Sequence, residues 1–433
     1  MVDQPRMDRT FHFGFDPSGR FVAERVEVAE LAQRYGTPIN VISRRQLVEN
    51  LRRIREGVER GWSGPVRVLP AIKSNTSLAL CRVLAAETDG CDLFSEGELE
   101  AALQSGFDPA AVSLNGNSKI GSDLSFLRSA IERGVRITLD DAAEFEPIES
   151  IAADLGRRAK IRFRLRVALP SINLPTDFPV HAAVPTDLAT QVYKAGIPMD
   201  DLVELGRRAL DSKHVEVTGL HLHLGRHRRE LEFWKRSMAA YAQAIAELKQ
   251  QWGGWEPGEI DIGGGFAQHL DPMAAGYATE RAVARELQAL SWMLKAGSLL
   301  GRRVRYGLTT RLIEFDRKRR LRAPAPDLER SSGPSLEDYG LTAATALEVG
   351  LREAGISTSD KLLELEPGRA LYGSAAIHAT RVNFIKRQKR PIPWTWVVTD
   401  TSEVWLQGGG HTATHPYVVD GKPIERLSPE QRQ

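Results

Sequence analysis

The chain has only two cysteines, Cys81 and Cys91, among 433 residues. That excludes a disulfide-stapled scaffold and suits thiols in a reducing compartment. Charge of one sign is also lacking. A net charge of +2 gives no global reason to expect nucleic acid or an anionic membrane as partner. No apolar run is long enough to cross a bilayer. The opening residues, MVDQPRMDRTFHFGFDPSGRF, carry no apolar core of a secretory signal, so a cytoplasmic setting is the expectation. GxxxxGK[ST] is absent, which removes the commonest phosphate-binding loop. What is present is ordinary: 42% hydrophobic and 26% charged residues, enough to bury a large core in one large domain plus a smaller one.

Short apolar runs alternate with helical patterns. TPINVIS (37–43) reads as a strand, and RRQLVENLRRIREGVERG (44–61) as an amphipathic helix with Leu47, Leu51, Ile54 and Val58 on one face. The unit then recurs. VRVLPAIK, CDLFS, AVSLNG, VRITLD, KIRFRLRV, VEVTGLHLHLG and EIDIGGGF read as strands, with helical patterns between most of them. Sustained strand–helix alternation implies a parallel sheet with crossover helices. The fold class expected is α/β, a (β/α)8 TIM-type barrel; an open doubly wound sheet is the alternative, because a sequence does not display closure. The pattern breaks at about 267–360. Nine arginines and lysines between Arg302 and Arg322 there face only Glu314 and Asp316. A solvated insertion over the barrel mouth is preferred to a nucleic-acid face. KLLELEPGRALYG supplies the last barrel strand, and the alternating segments that follow predict a small β-domain. The expected division is 1–43 pairing with the β-domain, 44–372 as the barrel with its insertion, and 373–433 as the C-terminal β-domain.

Four stretches carry chemistry. LPAIKSN (69–75) sets Lys73 at the end of an apolar strand, where a partly desolvated amine can form a Schiff base; a lysine snorkelling from the barrel end is an equal reading. DIGGGF puts Gly263, Gly264 and Gly265 at another strand end. Consecutive glycines let backbone N–H groups approach an anion, although a plain tight turn explains them as well. ELEPGRA places Glu366 and Arg369 on either side of a Pro-Gly bend. There a guanidinium suits a phosphate and a carboxylate can keep a ring nitrogen protonated; a surface ion pair is the bland reading. GLHLHLGRH sets His221 and His223 two apart on one strand face. With His227 a metal site is conceivable, yet no carboxylate or cysteine in the run completes it, and a histidine stacked on an aromatic ligand is preferred.

LAQRYGTPINVIS, AIKSN, GCDLFSEGELEAAL, VSLNGNSKI, GVRITLDDAAEFEPI, GLHLHLG, DIGGGF and EPGRALYG follow one another at strand ends. In that order they resemble the fold-type III decarboxylases that use pyridoxal 5'-phosphate. These form the diaminopimelate/ornithine decarboxylase-like group of alanine racemase-type barrels, and the similarity is greatest to the diaminopimelate decarboxylases. It spans roughly residues 30 to 385. The resemblance implies that Lys73 carries the cofactor as a Schiff base and that His223 stacks on the pyridine ring. It implies that Gly263, Gly264, Gly265, Gly368 and Arg369 hold the phosphate and that Glu366 pairs with the ring nitrogen. Asp92, Glu98 and Arg166 match residues lining the family's cofactor pocket. Family members are usually homodimers with shared sites.

The sequence also departs from the family. Arg226 stands where a phosphate-binding serine is usual, and the segment between Gly265 and Glu366 is long. The family's late Cys-Glu-Ser-like motif and tyrosine have no counterpart after Cys91 and Tyr417, so the C-terminal β-domain is expected to be shortened. The expected function is a lyase, a pyridoxal-phosphate-dependent decarboxylase of an amino acid, acting through Lys73 and His223 as a dimer. The alternative is a non-catalytic homologue serving as a regulatory or complex-forming partner, or an enzyme whose substrate site is completed by a complementary chain. No resident metal is expected, and no nucleic acid or membrane as partner.

Overall fold

In a computed structural model, the structure describes residues 12–16, 18, 20–121, 123–167, 195–224, 230–267, 304, 306–311, 314–315, 333–390 and 393–402. Arg226, His227, most of the 302–322 insertion and the tail from 403 lie outside them. The described residues fall into two compact units. One takes its residues from Met1–Gln46, Leu270–Gly333 and Ser374–Gln433, the other from Leu47–His269 and Pro334–Gly373.

In the first unit, Phe13–Phe15 (β1), Phe21–Ala23 (β2) and Val26–Glu27 (β3) form a small antiparallel sheet. Phe21, Ala23 and Val28 are buried there, with Phe13, Leu31 and Val41 packed on them. Ile39–Ile42 (β4) pairs antiparallel with a strand from the far end of the chain, described last.

The second unit is built on eight parallel strands. They are Val66–Val68 (β5), Cys91–Leu93 (β6), Val112–Leu114 (β7), Arg136–Leu139 (β8) and Ala159–Arg166 (β9), with Ile197–Pro198 (β10) as a short addition beside β9. Val215–His221 (β11), Glu259–Asp261 (β12) and Leu362–Leu365 (β13) complete them. The order is β5-β13-β12-β11-β9-β8-β7-β6. The two ends meet through a parallel bridge between Ala71 and Asp92, where the Asp92 N–H donates to the Pro70 carbonyl at 3.1 Å. The sheet is therefore a barrel rather than an open doubly wound sheet.

Apolar periodicity explains the outer layer. The helix Arg44–Gly61 buries Leu47, Leu51, Ile54 and Val58, each such side chain contributing about 1.5–3 kcal/mol. Leu231–Gln251 and Leu336–Glu353 pack on each other, and Trp234 stacks on Phe266 with ring centroids 4.3 Å apart. Ser335 opens the second of these helices with a capping box to Asp338. Within the strands, period 2 sends Ile161, Phe163 and Leu165 of β9 to one side and Arg162, Arg164 and Arg166 to the other. The charged set faces the lumen, which most barrels fill with branched apolar residues.

Back in the first unit, Ala376–Ala379 (β14) pairs with β4, and Val382–Gln388 (β15) pairs antiparallel with Trp394–Thr399 (β16).

Gly219 on β11 lies where the register against β9 shifts, between Val217 and Gly219. A Cβ at Gly219 would sit 2.0 Å from the Glu259 carbonyl oxygen of β12. Gly219→Ala is therefore expected to push β11 from β12 and destabilise the unit by ~1–3 kcal/mol, measurable as a lower melting temperature.

Candidate active site

The predicted residues gather at the carboxyl ends of the barrel strands, where loops after each strand converge. Lys73 lies in a 3-10 turn, Ile72–Ser74, just beyond β5. Its side chain is 36% exposed and so reachable, while its Nζ sits 3.4 Å from Asp92 Oδ2 and 3.3 Å from the centroid of the Phe94 ring. Asp92, from the middle of β6, is fully buried. Burial first, then the neighbouring Glu366, pushes its carboxyl well above the usual range, with Lys73 pulling the other way.

Glu366, just past β13, is the hub. Its N–H donates to the Gly263 carbonyl at 2.9 Å, which fixes the turn. Its Oε1 accepts from Asn115 Nδ2 and, at 3.4 Å, from Ser113 Oγ; its Oε2 lies 3.3 Å from His221 Nε2. Beneath it, Arg162 is wholly buried and pairs with Asp261 Oδ2 at 2.8 Å and with Glu364. The same guanidinium donates to Ser113 and Thr138 and comes within 3.9 Å of Glu366. Burial, and after it Glu366, pushes the Asp261 carboxyl up to about 6.

Both histidines are neutral near pH 7. Burial lowers His221 to about 3, with Arg164 and Arg162 adding to the effect. Burial, then Arg164 and Lys73, lowers His223 well below its ordinary value. The rings are nearly parallel, at 4° with centroids 6.4 Å apart. The Gly264 N–H donates to His223 Nδ1 at 3.2 Å. A backbone amide can only donate, so Nδ1 accepts and the proton of the neutral ring sits on Nε2. On His221 the neutral ring turns its Nε2–H to Glu366, and among the described residues Nδ1 has no hydrogen-bond partner. His221, Asp261 and Glu366 lie close enough to surround an ion, with ligand atoms within 4.8 Å of one another. Arg162 already supplies a cation at Asp261.

The glycines form a cradle that no larger residue fits. A Cβ on Gly263 would lie 2.7 Å from His223 Nδ1, one on Gly264 2.2 Å from the Glu366 carbonyl, and one on Gly368 2.5 Å from Ser74 Oγ. Gly263 and Gly265 also hold φ of 64° and 101°, which side chains resist. Arg369 begins the short helix Arg369–Tyr372 directly after Gly368.

Two predicted residues stand apart from this convergence. Glu98 turns its Oε2 to the Phe94 N–H at 2.7 Å, and Ser95 accepts from the Glu98 N–H at 3.4 Å, so the pair caps the helix Glu96–Ser105. The contacts of Glu98 are thus those of a helix start, and none of them is to Lys73. Arg166, at the end of β9, donates to the Ala195 carbonyl at 3.4 Å. Conversely, sequence reasoning missed Arg162, Ser113, Asn115 and Phe94. The signal for the first lay in the alternation of KIRFRLRV, because basic residues at every second strand position are costly to bury unless acids face them.

A lysine beside a carboxylate, a buried acid past the neighbouring strand, two neutral histidines and a glycine cradle fit pyridoxal phosphate in particular. The amine is open for covalent attachment, the glycine N–H groups suit an anion, and Glu366 is an acid placed to meet a basic nitrogen. The family profile described as "Pyridoxal-dependent decarboxylase, pyridoxal binding domain" matches residues 44–295, more than half of the chain. The chain belongs to this pyridoxal-dependent decarboxylase family.

Among relatives of this chain is the diaminopimelate decarboxylase of Archaeoglobus fulgidus, 28% identical over 85% of this chain and 69% of that one. That of Pseudomonas aeruginosa is 30% identical over 59% of each. That of Methanocaldococcus jannaschii is matched over 55% of its length, so the chain spans less than two thirds of these last two relatives. A crystal structure of the M. jannaschii enzyme superposes with a TM-score of 0.66 at 22% identity, covering 90% of this chain and 74% of that one. Lysine decarboxylase from Selenomonas ruminantium gives 0.57 at 19% identity, covering 91% and 78%. These superpositions speak to the fold: a decarboxylase-type barrel with smaller antiparallel sheets. No helix among the described residues is long and apolar enough to cross a membrane.

The neutral His221 has a consequence for stability. Its folded value, about 3, lies below the unfolded 6.5, so the unfolded chain binds the extra proton first. The stability that comes from keeping it neutral is complete above pH 6.5 and is lost as pH falls from 6.5 toward 3. His221→Gln is expected to flatten the acid limb of a stability–pH curve over that window, measured by denaturant unfolding of the cofactor-free protein.

Proposed function

We propose that the protein decarboxylates an amino acid carrying a second polar end, with diaminopimelate as the leading candidate. The observation that carries this reading is Lys73 beside Asp92, with the buried Glu366 just past the neighbouring strand β13, so that one group is available for each end of a pyridoxal ring. Several relatives bear the name diaminopimelate decarboxylase, which supports the substrate class.

Bound pyridoxal phosphate supplies a carbonyl for covalent attachment and a ring that takes up the electrons left when CO2 departs. The protein's own groups do the rest. Lys73 Nζ would hold the cofactor covalently, and Asp92 Oδ2, 3.4 Å away, is placed to take or return the lysine's proton. Glu366 would meet the ring nitrogen, and its contacts to Asn115 and His221 keep it aimed. His223, locked by the Gly264 amide, would lie flat against the ring, and Gly263 to Gly265 with Gly368 and Arg369 would take the phosphate. Asp92 belongs to this proposed set directly, and Glu98 and Arg166 as lining residues. The reading includes a homodimer or a complementary chain that completes the substrate end, a cytoplasmic setting, and the division into 1–43, 44–372 and 373–433.

Purified protein supplied with pyridoxal phosphate is expected to release CO2 from diaminopimelate faster than from lysine, ornithine or arginine. Lys73→Ala should lower that release at least about a thousandfold and abolish the visible absorbance of the bound cofactor. Absorbance without CO2 release from any of the four would instead favour a non-catalytic homologue.

A further inference from the structure

Asn115 directly follows β7 and is 1% exposed. Its single amide nitrogen has two hydrogens, and each is directed to a different carboxylate: Asp92 Oδ1, at 2.6 Å, and Glu366 Oε1. The nitrogen must be the atom facing them, because an amide oxygen against two carboxylates would only repel. Its Oδ1 has no hydrogen-bond partner among the described residues, so the side chain's hydrogen bonding is committed to this bridge. The carboxylates divide their oxygens in the same way. Asp92 uses Oδ1 for Asn115 and Oδ2 for Lys73, 3.4 Å away; Glu366 uses Oε1 for Asn115 and Oε2 for His221, 3.3 Å away. The result is one unbroken chain, Lys73–Asp92–Asn115–Glu366–His221, reachable at Lys73 and buried from Asp92 onward.

We propose that Asn115 is a positioning residue that ties the two ends of the cofactor site together, its NH2 group setting the distance and orientation of Asp92 relative to Glu366. The proposal rests on the assignment of Lys73 and Glu366 to opposite ends of the cofactor and adds a residue to it. Glu366 is held from other sides by Ser113 and the turn at Gly263. Among the described residues, Asp92 has Lys73 and Asn115 as its side-chain hydrogen-bond partners. Loss of Asn115 therefore falls mainly on Asp92. The charged groups around Asp92 are Lys73 from the turn after β5, Glu366 beyond β13 and Asp261 on β12, with the Cys91 thiol beside it on β6.

The test uses the full chain in two arms. Without cofactor, the Asp92 carboxyl carbon is followed by NMR of 13C-aspartate-labelled protein across pH. Asn115→Leu removes both donors at similar volume, so the Asp92 titration is expected to move to higher pH, since the lost hydrogen bond favoured the ionised form. With pyridoxal phosphate added, Asn115→Leu is expected to weaken cofactor binding by about ten- to a hundredfold. In an Asp92→Asn background the same substitution should have a clearly smaller effect. A purely structural asparagine would give additive losses in that cycle and leave the Asp92 titration in place, and either result overturns the proposal. If Asn115→Leu does not fold, judged by circular dichroism, Asn115→Ser, which has one hydrogen to give, replaces it and should shift both readings in the same direction by less. Should the wild-type chain bind no pyridoxal phosphate, the functional reading fails, while the cofactor-free titration still decides what Asn115 does.

Discussion

The Arg162 guanidinium is the interaction on which the barrel's interior depends. It is buried completely, yet it touches Ser113 of β7, Thr138 of β8, Asp261 of β12 and Glu364 of β13 from its own place on β9. A charge removed from water costs several kcal/mol unless it is paired and its donors are satisfied. Here two carboxylates and two hydroxyls satisfy one cation. Arg136, one layer toward the amino ends of the strands, is also buried and lies 2.8 Å from both Glu259 and Glu364, although its guanidinium nitrogens make no hydrogen bond among the described residues. The lumen is thus a lattice of alternating charges. Such a lattice tolerates little displacement, because moving any member leaves another buried charge unpaired. Rigidity of that kind is what a site built at the strand ends requires.

The lattice also explains the acidity pattern above it. Burial and the neighbouring Glu366 disfavour ionisation of Asp261. Arg162 meets Asp261 and Glu364 at full contact but stays 3.9 Å from Glu366. Glu366 is therefore supported without being consumed. Its free edge is shared with Asn115 and His221, groups that hydrogen-bond it while adding no charge. A closer arginine would fix the carboxylate as a permanent ion-pair partner and weaken its ability to hold a proton on a ligand nitrogen. The separation between the ion-pair layer and the ligand-facing layer is the feature that turns a structural network into a site.

Much of this was legible in the sequence. Strand–helix alternation is local and periodic, so the barrel class could be read from it, and Lys73, Glu366 and the glycine triplet declared themselves by sitting where apolar strands end. The network was hidden for a physical reason. Its members are single residues on β7, β8, β9, β12 and β13, and only barrel closure, through Ala71 and Asp92, brings those strands around one axis. Glu98 shows the converse. Its place in GCDLFSEGELEAAL resembles a pocket residue, but Ser95 and Glu98 are also a helix-start pair, and the carboxylate is directed at the Phe94 amide.

The two histidines close the argument about charge. A protonated His221 would face Glu366 with a full positive charge, and the ion pair would compete with any ligand proton that Glu366 is placed to hold. Burial and the nearby arginines prevent this by keeping the imidazole neutral. Neutrality at His223 serves a different end. With its Nδ1 occupied by the Gly264 amide, the ring cannot turn without losing a hydrogen bond, and a neutral ring avoids repelling the Lys73 ammonium and Arg164 that share its surroundings. The same glycine turn that leaves room for an anion thus fixes the plane of the ring beside it. One backbone segment, DIGGGF, sets both the glycine turn and the orientation of the His223 ring, which is why a side chain at Gly263 or Gly264 would disturb the two together.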